Sequence, residues 1–363
     1  MNINLIAAID GSGYGIVGLN VLKAFVATGH EVAFFPRHVR REQLTLALDE
    51  TALLMRCLRR QRTFDTDAPC LRISAEDDMT LFAGRGPRCG LAFIDTTGLT
   101  EVERRHLGTL DRVFVASKWG RTVAIDNGLD PGTVVAAPMG VDRDVFAPSS
   151  LREGGPTVFL NAGSWQRRKG HDVLIEAFGL AFRPDDDVEL RLLSRNPWSR
   201  IAEERMIAAC RESPMAEHIS VLPRVPAHAG VAELMRDADC GIFPARSEAW
   251  NLEALEMLSC GRPIIATNYS GHTEYLDREN ALLIEIDELE PAVDPVWMPV
   301  FGTRKIGDWA RLGPNQVEQL VEHMRTVHRQ KQSGTLSLNR AGIATAERFT
   351  WERAANRLVE GMP

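Results

Sequence analysis

Two glutamates, Glu248 and Glu256, carry the strongest chemical pattern in the sequence. Seven residues separate them in the run Ser247-Glu248-Ala249-Trp250-Asn251-Leu252-Glu253-Ala254-Leu255-Glu256. The run follows an expected strand over 240–243 and opens an expected helix over 252–260. In a parallel sheet, ligands bind beyond the carboxyl ends of the strands. A helix N-terminus there offers free amides and partial positive charge to an anion, most simply a phosphate. Glu248, in the loop, can reach a neutral hydroxylated group. Glu256, one turn into the helix, can accept bonds from two adjacent ribose hydroxyls, since a carboxylate only accepts. An isolated helix start would use the same acids merely to favour its own dipole, so the neighbouring segments decide between the two readings.

Three further segments bear on that choice. Asn161-Ala162-Gly163-Ser164-Trp165-Gln166-Arg167-Arg168-Lys169-Gly170-His171-Asp172 sets three successive cations, Arg167, Arg168 and Lys169, after a strand and before a helix. Cations beside a helix start suit a diphosphate. The N-terminal loop Asp10-Gly11-Ser12-Gly13-Tyr14-Gly15-Ile16-Val17-Gly18 lets backbone approach a ligand closely, and it also spells a dinucleotide fingerprint. A nicotinamide site wants Asp or Glu at the end of the second strand. That strand ends Phe34-Phe35-Pro36-Arg37, so NAD is disfavoured and Arg37 keeps only an NADP reading open. Asp95, in Phe93-Ile94-Asp95-Thr96-Thr97, follows another expected strand, where an Asp readily bonds its own turn. The acidic clusters Glu76-Asp77-Asp78 and Asp185-Asp186-Asp187 read as solvated turns and not as metal ligands.

The elements that must position these residues alternate between strand and helix twice over. Apolar strands are expected at 3–9, 31–35, 91–94, 112–116 and 134–137, with a helix at 17–27. The stretch 146–156, rich in Pro, Gly and Ser, breaks the rhythm as an interdomain linker would. It restarts with strands at 157–162, 189–193, 219–222, 240–243 and 263–266, and helices at 173–182, 201–210, 230–236 and 252–260. Residues 287–314, with Trp297 and Trp309, read as an irregular excursion; helices at 316–330 and 338–360 close the chain. Short apolar strands separated by amphipathic helices indicate parallel sheets covered on both faces.

Composition sets the class. A chain of 363 residues accommodates two domains, and 44% hydrophobic with 25% charged residues is ordinary for a soluble enzyme. A net charge of −7 gives no footprint for broad nucleic-acid contact. The six scattered cysteines lack metal-ligand spacing and read as reduced, buried residues. The N-terminus reads as a buried strand rather than a signal peptide, and no apolar run approaches a membrane span, so a cytoplasmic protein is expected.

The glutamate pair lies after Pro-x-x-Ser and before Ser-Cys-Gly-Arg-Pro-Ile-Ile-Ala-Thr. Together with the Lys169-Gly170 loop, Val115-Ala116-Ser117-Lys118-Trp119-Gly120 and Pro138-Met139-Gly140-Val141-Asp142, it resembles family 4 of the retaining glycosyltransferases. The resemblance implies an α/β protein of GT-B fold, two doubly wound Rossmann-like domains with a cleft between them. It implies an acceptor-side domain over 1–148, a donor-side domain over 156–335 and a last helix over 338–363 that crosses back. It implies transfer of a sugar from a nucleotide diphosphate sugar to an acceptor hydroxyl, with retention, no cofactor and no bound metal. Residue by residue, Glu248 would contact the donor sugar, Glu256 the ribose, and Trp250, Asn251 and Leu252 the phosphates through their backbone. Lys169 would bind the diphosphate. Gly13, Tyr14 and Gly15 would touch donor phosphates or acceptor, and Arg224 would join the donor contacts. Ser164 stands where the family has a basic residue, so Arg168 or Arg167 would supply that charge. Asp95 stands near a position where many members carry a histidine that contacts the donor sugar, so it would face the sugar or the acceptor hydroxyl, and the expected catalytic group is Glu248, Lys169 and Asp95.

Two rival functions remain at this stage: an NADP-dependent oxidoreductase using the N-terminal glycine loop, and a non-catalytic sugar-nucleotide-binding protein. The acceptor is open among a glycan, a lipid, a small molecule and a modified nucleobase. The basic residues of 37–62 (Arg37, Arg40, Arg41, Arg56, Arg59, Arg60 and Arg62) suit an anionic acceptor, peripheral contact with a membrane, or a solvated helix face.

Overall fold

The computed structural model describes residues 1–37, 44–196, 199–294 and 306–363. Arg40, Arg41 and Trp297 lie outside the described residues. The chain forms two compact units, Met1–Asp142 with Phe349–Pro363, and Arg143–Arg348.

The first unit holds β1 (Asn2–Ala7), α1 (Gly13–Ala27), β2 (Glu31–Pro36), α2 (Leu48–Arg59), β3 (Cys70–Ile73), β4 (Arg88–Ala92), α3 (Glu101–Leu107), β5 (Arg112–Val115), α4 (Lys118–Asp126) and β6 (Val134–Ala136). Its six strands pair in parallel in the order β2-β1-β3-β4-β5-β6. The second unit holds β7 (Thr157–Ala162), α5 (His171–Ala181), β8 (Val188–Leu193), α6 (Arg200–Glu212), β9 (Ile219–Val221) and α7 (His228–Asp237). It continues with β10 (Cys240–Phe243), α8 (Leu252–Ser259), β11 (Ile264–Thr267) and β12 (Leu282–Ile284). These strands form a second parallel sheet in the order β12-β11-β10-β7-β8-β9. Both sheets are doubly wound and Rossmann-like.

The elements differ from expectation in places where a charge or a short length hides the pattern. The strand β3 was not expected, although it lies between β1 and β4. Its four residues include buried Arg72, whose guanidinium is satisfied by the Asp78 carboxylate at 2.6 Å and the Asp78 carbonyl at 2.7 Å. Asp78 also binds Arg37 at 2.5 Å and Ser74 at 3.1 Å, and Glu76 is buried. The first acidic cluster is therefore an internal anchor and not a solvated turn. Gly13 and Gly15 of the N-terminal loop lie in the first turn of α1, capped by Ser12, so that helix begins earlier than residue 17.

The described residues on either side of 295–305 contain regular structure where an irregular excursion was expected: β13 (Leu289–Pro291) pairs antiparallel with β14 (Asp308–Ala310), and Trp309 is buried. The expected linker over 146–156 lies inside the second unit. Buried Arg262 donates to the Ser149 carbonyl at 3.0 Å, the Ser149 hydroxyl at 2.6 Å and the Ser150 carbonyl at 3.0 Å. After α9 (Pro314–Gln332), the run 338–360 is not one helix. It divides into α10 (Arg340–Arg348), in the second unit, and α11 (Trp351–Gly361), in the first. Thr350 breaks it by bridging to Val141 and then capping α11.

All six cysteines are buried and free. Among the described residues, no helix is long and apolar enough to cross a membrane, and no group of three or more His, Cys, Asp or Glu is placed to hold a metal ion.

Candidate functional site

The second sheet reverses direction between β7 and β10. From β7 the chain winds outward through β8 and β9, and from β10 it winds the other way through β11 and β12. Such a reversal opens a crevice at the carboxyl ends of the two adjacent strands. The loops leaving β7 and β10 are the two segments that the sequence marks for anion and sugar chemistry.

These loops meet side chain to side chain. The Lys169 ammonium lies 3.0 Å from Glu248 Oε1 and 3.6 Å from Glu253 Oε1 in the first turn of α8. Arg168 donates to Glu248 Oε2 at 2.8 Å and to the Ser247 carbonyl at 2.6 Å. Lys169 therefore stands at the mouth of α8, where the helix presents its free amides. Backbone geometry makes this possible. Gly163 has φ 137°, and a Cβ there would lie 3.0 Å from Lys169 Nζ. Gly170 has φ 73°, and a Cβ there would lie 1.9 Å from the Pro244 carbonyl. Both positions demand the residue without a side chain.

Arg167 and Arg168 separate cleanly. Arg167 turns to Glu290 at 3.4 Å, and its backbone amide donates to Asp294 at 3.1 Å, whereas Arg168 faces Glu248. Of the two, Arg168 is the cation placed beside Lys169. Ser164 is half-buried after β7; Arg224 is exposed in the loop after β9.

The electrostatics are those of a compensated charge cluster. Glu248 is only 5% exposed. Burial alone would raise its carboxyl pKa, but Arg168 and Lys169 outweigh that and hold it at about 2. Burial alone would lower the Lys169 pKa; Glu248 and Glu253 outweigh it and hold the ammonium above its usual value. Glu248 and Lys169 are thus both charged at neutral pH. His171 opens α5 at 1% exposure, with its ring 3.0 Å from Ser194 Oγ, and burial pushes its pKa down to about 4. It is a neutral packing residue.

At the start of α8, Asn251 adopts φ 77°, a left-handed conformation that Asn tolerates better than most residues. Its side-chain oxygen accepts from the Ala254 amide at 3.2 Å, capping the helix, and its amide nitrogen lies 2.9 Å from His272 Nε2. The Tyr275 hydroxyl donates toward the carbonyls of Trp250 at 3.0 Å and Asn251 at 2.9 Å. The Trp250 ring is buried against Tyr275, so it serves packing. Leu252 begins α8, and Glu256 is half-buried one turn further. Sequence reasoning missed Ser270, His272 and Tyr275. Ser270 Oγ accepts from the Glu248 amide at 2.8 Å and so braces that residue. Nothing but their nearness to the carboxyl end of β11 marks them in the sequence.

In the first unit, Ser12 caps α1 and itself leans on Asp10, whose Oδ1 accepts from the Ser12 amide at 2.9 Å. Asp10 thus braces the residue that caps this helix. A Cβ on Gly15 would lie 2.3 Å from Asp10, and one on Gly18 2.2 Å from the Ala8 carbonyl; one on Gly13 would meet nothing within 4 Å. Two of the three fingerprint glycines are required by the chain's own packing, and Arg37 is engaged by Asp78, so the dinucleotide reading gains no support. Tyr14 packs edge-on against Phe93 at 5.2 Å, two residues before Asp95 in the loop after β4.

Residues 156–294 match the family model described as glycosyl transferases group 1. The chain is 29% identical over 242 residues to a D-inositol 3-phosphate glycosyltransferase of Paenarthrobacter aurescens, covering 64% of this chain and 52% of that one. It is 34% identical over 152 residues to the protein of the same name in Pseudarthrobacter chlorophenolicus, covering 40% and 36%. The chain thus spans about half the length of the curated relatives it matches, or less. Among solved structures it resembles a sucrose-phosphate synthase from Thermosynechococcus elongatus, with TM-score 0.72, 15% identity and coverage of 99% and 98%. It also resembles HepE of Anabaena in complex with UDP-glucose, with TM-score 0.70, 13% identity and coverage of 99% and 98%. The fold is of GT-B type, and the match to the glycosyl transferases group 1 model lies within the second unit.

Proposed function

We propose that this chain is a retaining glycosyltransferase that moves a sugar from a nucleotide diphosphate sugar to an acceptor hydroxyl, with the donor held in the second unit. The observation that carries this reading is Lys169 at the mouth of α8, within 3.6 Å of Glu253 and flanked by Arg168. A diphosphate seated there draws Lys169 and Arg168 onto its oxygens and gains the amides from Asn251 onward. Glu248 is then released from its cations to accept hydroxyls of the donor sugar, and Glu256 takes the ribose. As the anomeric carbon–oxygen bond breaks and the acceptor oxygen bonds to that carbon, the acceptor's proton passes to an oxygen of the departing diphosphate, on which negative charge grows. Lys169, Arg168 and the α8 dipole stabilise that charge without a metal ion. Retention follows from the family resemblance.

UDP is the leading nucleotide, because a neighbour of like fold binds UDP-glucose. Inositol phosphates lead the acceptors, because relatives carry that name. Within the first unit, Tyr14 and Asp95 are the residues proposed for the acceptor or donor sugar, with open space beside Gly13.

The test is a panel of UDP-, GDP- and ADP-sugars with inositol phosphates and other polyols as acceptors, scored by mass spectrometry of the product. Formation of a glycoside supports the proposal. Tight donor binding with neither transfer nor hydrolysis supports the non-catalytic rival. Stabilisation by NADP alone supports the oxidoreductase.

A further inference from the structure

Arg246 is 4% exposed, stands two residues before Glu248, and gathers the donor loop without being part of it. Its backbone amide donates to the Arg168 carbonyl at 2.6 Å, and one guanidinium nitrogen donates to the Arg167 carbonyl at 2.6 Å. The same guanidinium forks onto both oxygens of Asp172, at 2.8 and 2.9 Å, in the first turn of α5. Its Nε donates to Glu290 Oε1 at 3.0 Å. That oxygen also accepts from Trp309 Nε1 at 3.1 Å and lies 3.4 Å from Arg167, while the Arg246 carbonyl accepts from the Ala310 amide at 2.9 Å. One buried cation thus joins three stretches of chain: the Arg167–Lys169 turn, the start of α5, and the β13–β14 hairpin.

A buried guanidinium costs stability unless its donors are matched, and a planar fork matches a carboxylate in a way that an ammonium does not. Here the guanidinium's partners are the Asp172 and Glu290 carboxylates and the Arg167 carbonyl, which belongs to the turn that presents Arg168 and Lys169. We propose that Arg246, with Asp172 and Glu290, is a positioning node that holds Arg168 and Lys169 in their donor-binding geometry. The β13–β14 hairpin becomes part of the donor site through it. This rests on the donor-binding reading above.

The test compares Arg246→Lys and Asp172→Asn with Met206→Ala, a core change in the same unit, all in the full chain. Two quantities are measured: amide exchange at Lys169 and Gly170, whose amides donate to Gln166 and Arg167, and the Kd for UDP. The first two variants are expected to speed exchange at those amides. They should also raise the Kd about tenfold or more, the scale of a small misplacement at a binding group. Met206→Ala should lower the melting temperature and leave both quantities unchanged. Asp172→Asn keeps the test valid if Arg246→Lys fails to fold. Unchanged exchange and Kd in Asp172→Asn, or equal effects from Met206→Ala, would overturn the node. A wild-type chain that binds no nucleotide diphosphate would instead overturn the donor reading, and exchange alone would then judge the node.

Discussion

Lys169 and Glu248 come from loops at the ends of adjacent strands, β7 and β10, and their charged ends meet at 3.0 Å. The pairing gives the site a neutral resting arrangement that a diphosphate can reorganise. On the proposed reading, Lys169 and Arg168 exchange Glu248 for the ligand's oxygens while staying beside the mouth of α8.

Replacing Glu248 by Gln separates the two halves of that arrangement. With Glu248 holding the donor sugar as proposed, that contact is weakened, while Arg168 and Lys169 lose an anionic competitor for phosphate. Transfer is expected to fall by about 10²-fold or more, and UDP is expected to bind as tightly as before or more tightly. Parallel kinetics and titration calorimetry check this. A large loss of UDP affinity in Glu248→Gln would show that the acid serves the cations and not the sugar.

Gly170 and Gly13 should respond oppositely to alanine. At Gly170, φ of 73° and a backbone oxygen 1.9 Å from the added carbon combine two penalties. A loss of about 2 kcal/mol or more is expected. At Gly13, in the first turn of α1 with open space around it, the same change should be neutral or slightly stabilising. Urea denaturation of both variants measures the contrast.

His171 should impose a pH dependence on stability. Its folded pKa of about 4 lies below the unfolded value of 6.5, so the unfolded chain takes up the proton first. The contribution is fully present above about pH 6.5 and is lost as pH falls toward 4. Between pH 7 and 5 the loss should be about 2 kcal/mol. Subtracting the pH dependence of His171→Gln from that of the native chain isolates it; identical curves would contradict the assignment.

The alternation of strands and helices was legible because most strands are uninterrupted apolar runs, and β7 and β10 agree with their expected bounds. β3 was hidden by a charge in its middle, Arg72, whose compensation by Asp78 is tertiary. The break at Thr350 was hidden because Val141, its bridging partner, is remote in sequence. Within the site, residue types exposed the two loops but not which arginine turns inward. That depends on Glu290 and Asp294, which lie on or beside a short hairpin strand with no apolar signature. Asn251 was named for its backbone. Its positive φ and its cap on α8 follow from the path of the β10–α8 turn, which no local spacing reveals.

The most direct measurement is calorimetric titration of UDP into the native chain and into Lys169→Met, with each protein first shown to be folded by its melting transition. If the loop after β7 and the mouth of α8 form one diphosphate site, the native chain binds and the variant binds about 10- to 100-fold more weakly, the loss of one charged contact. Equal affinity in a folded Lys169→Met protein would contradict the shared site.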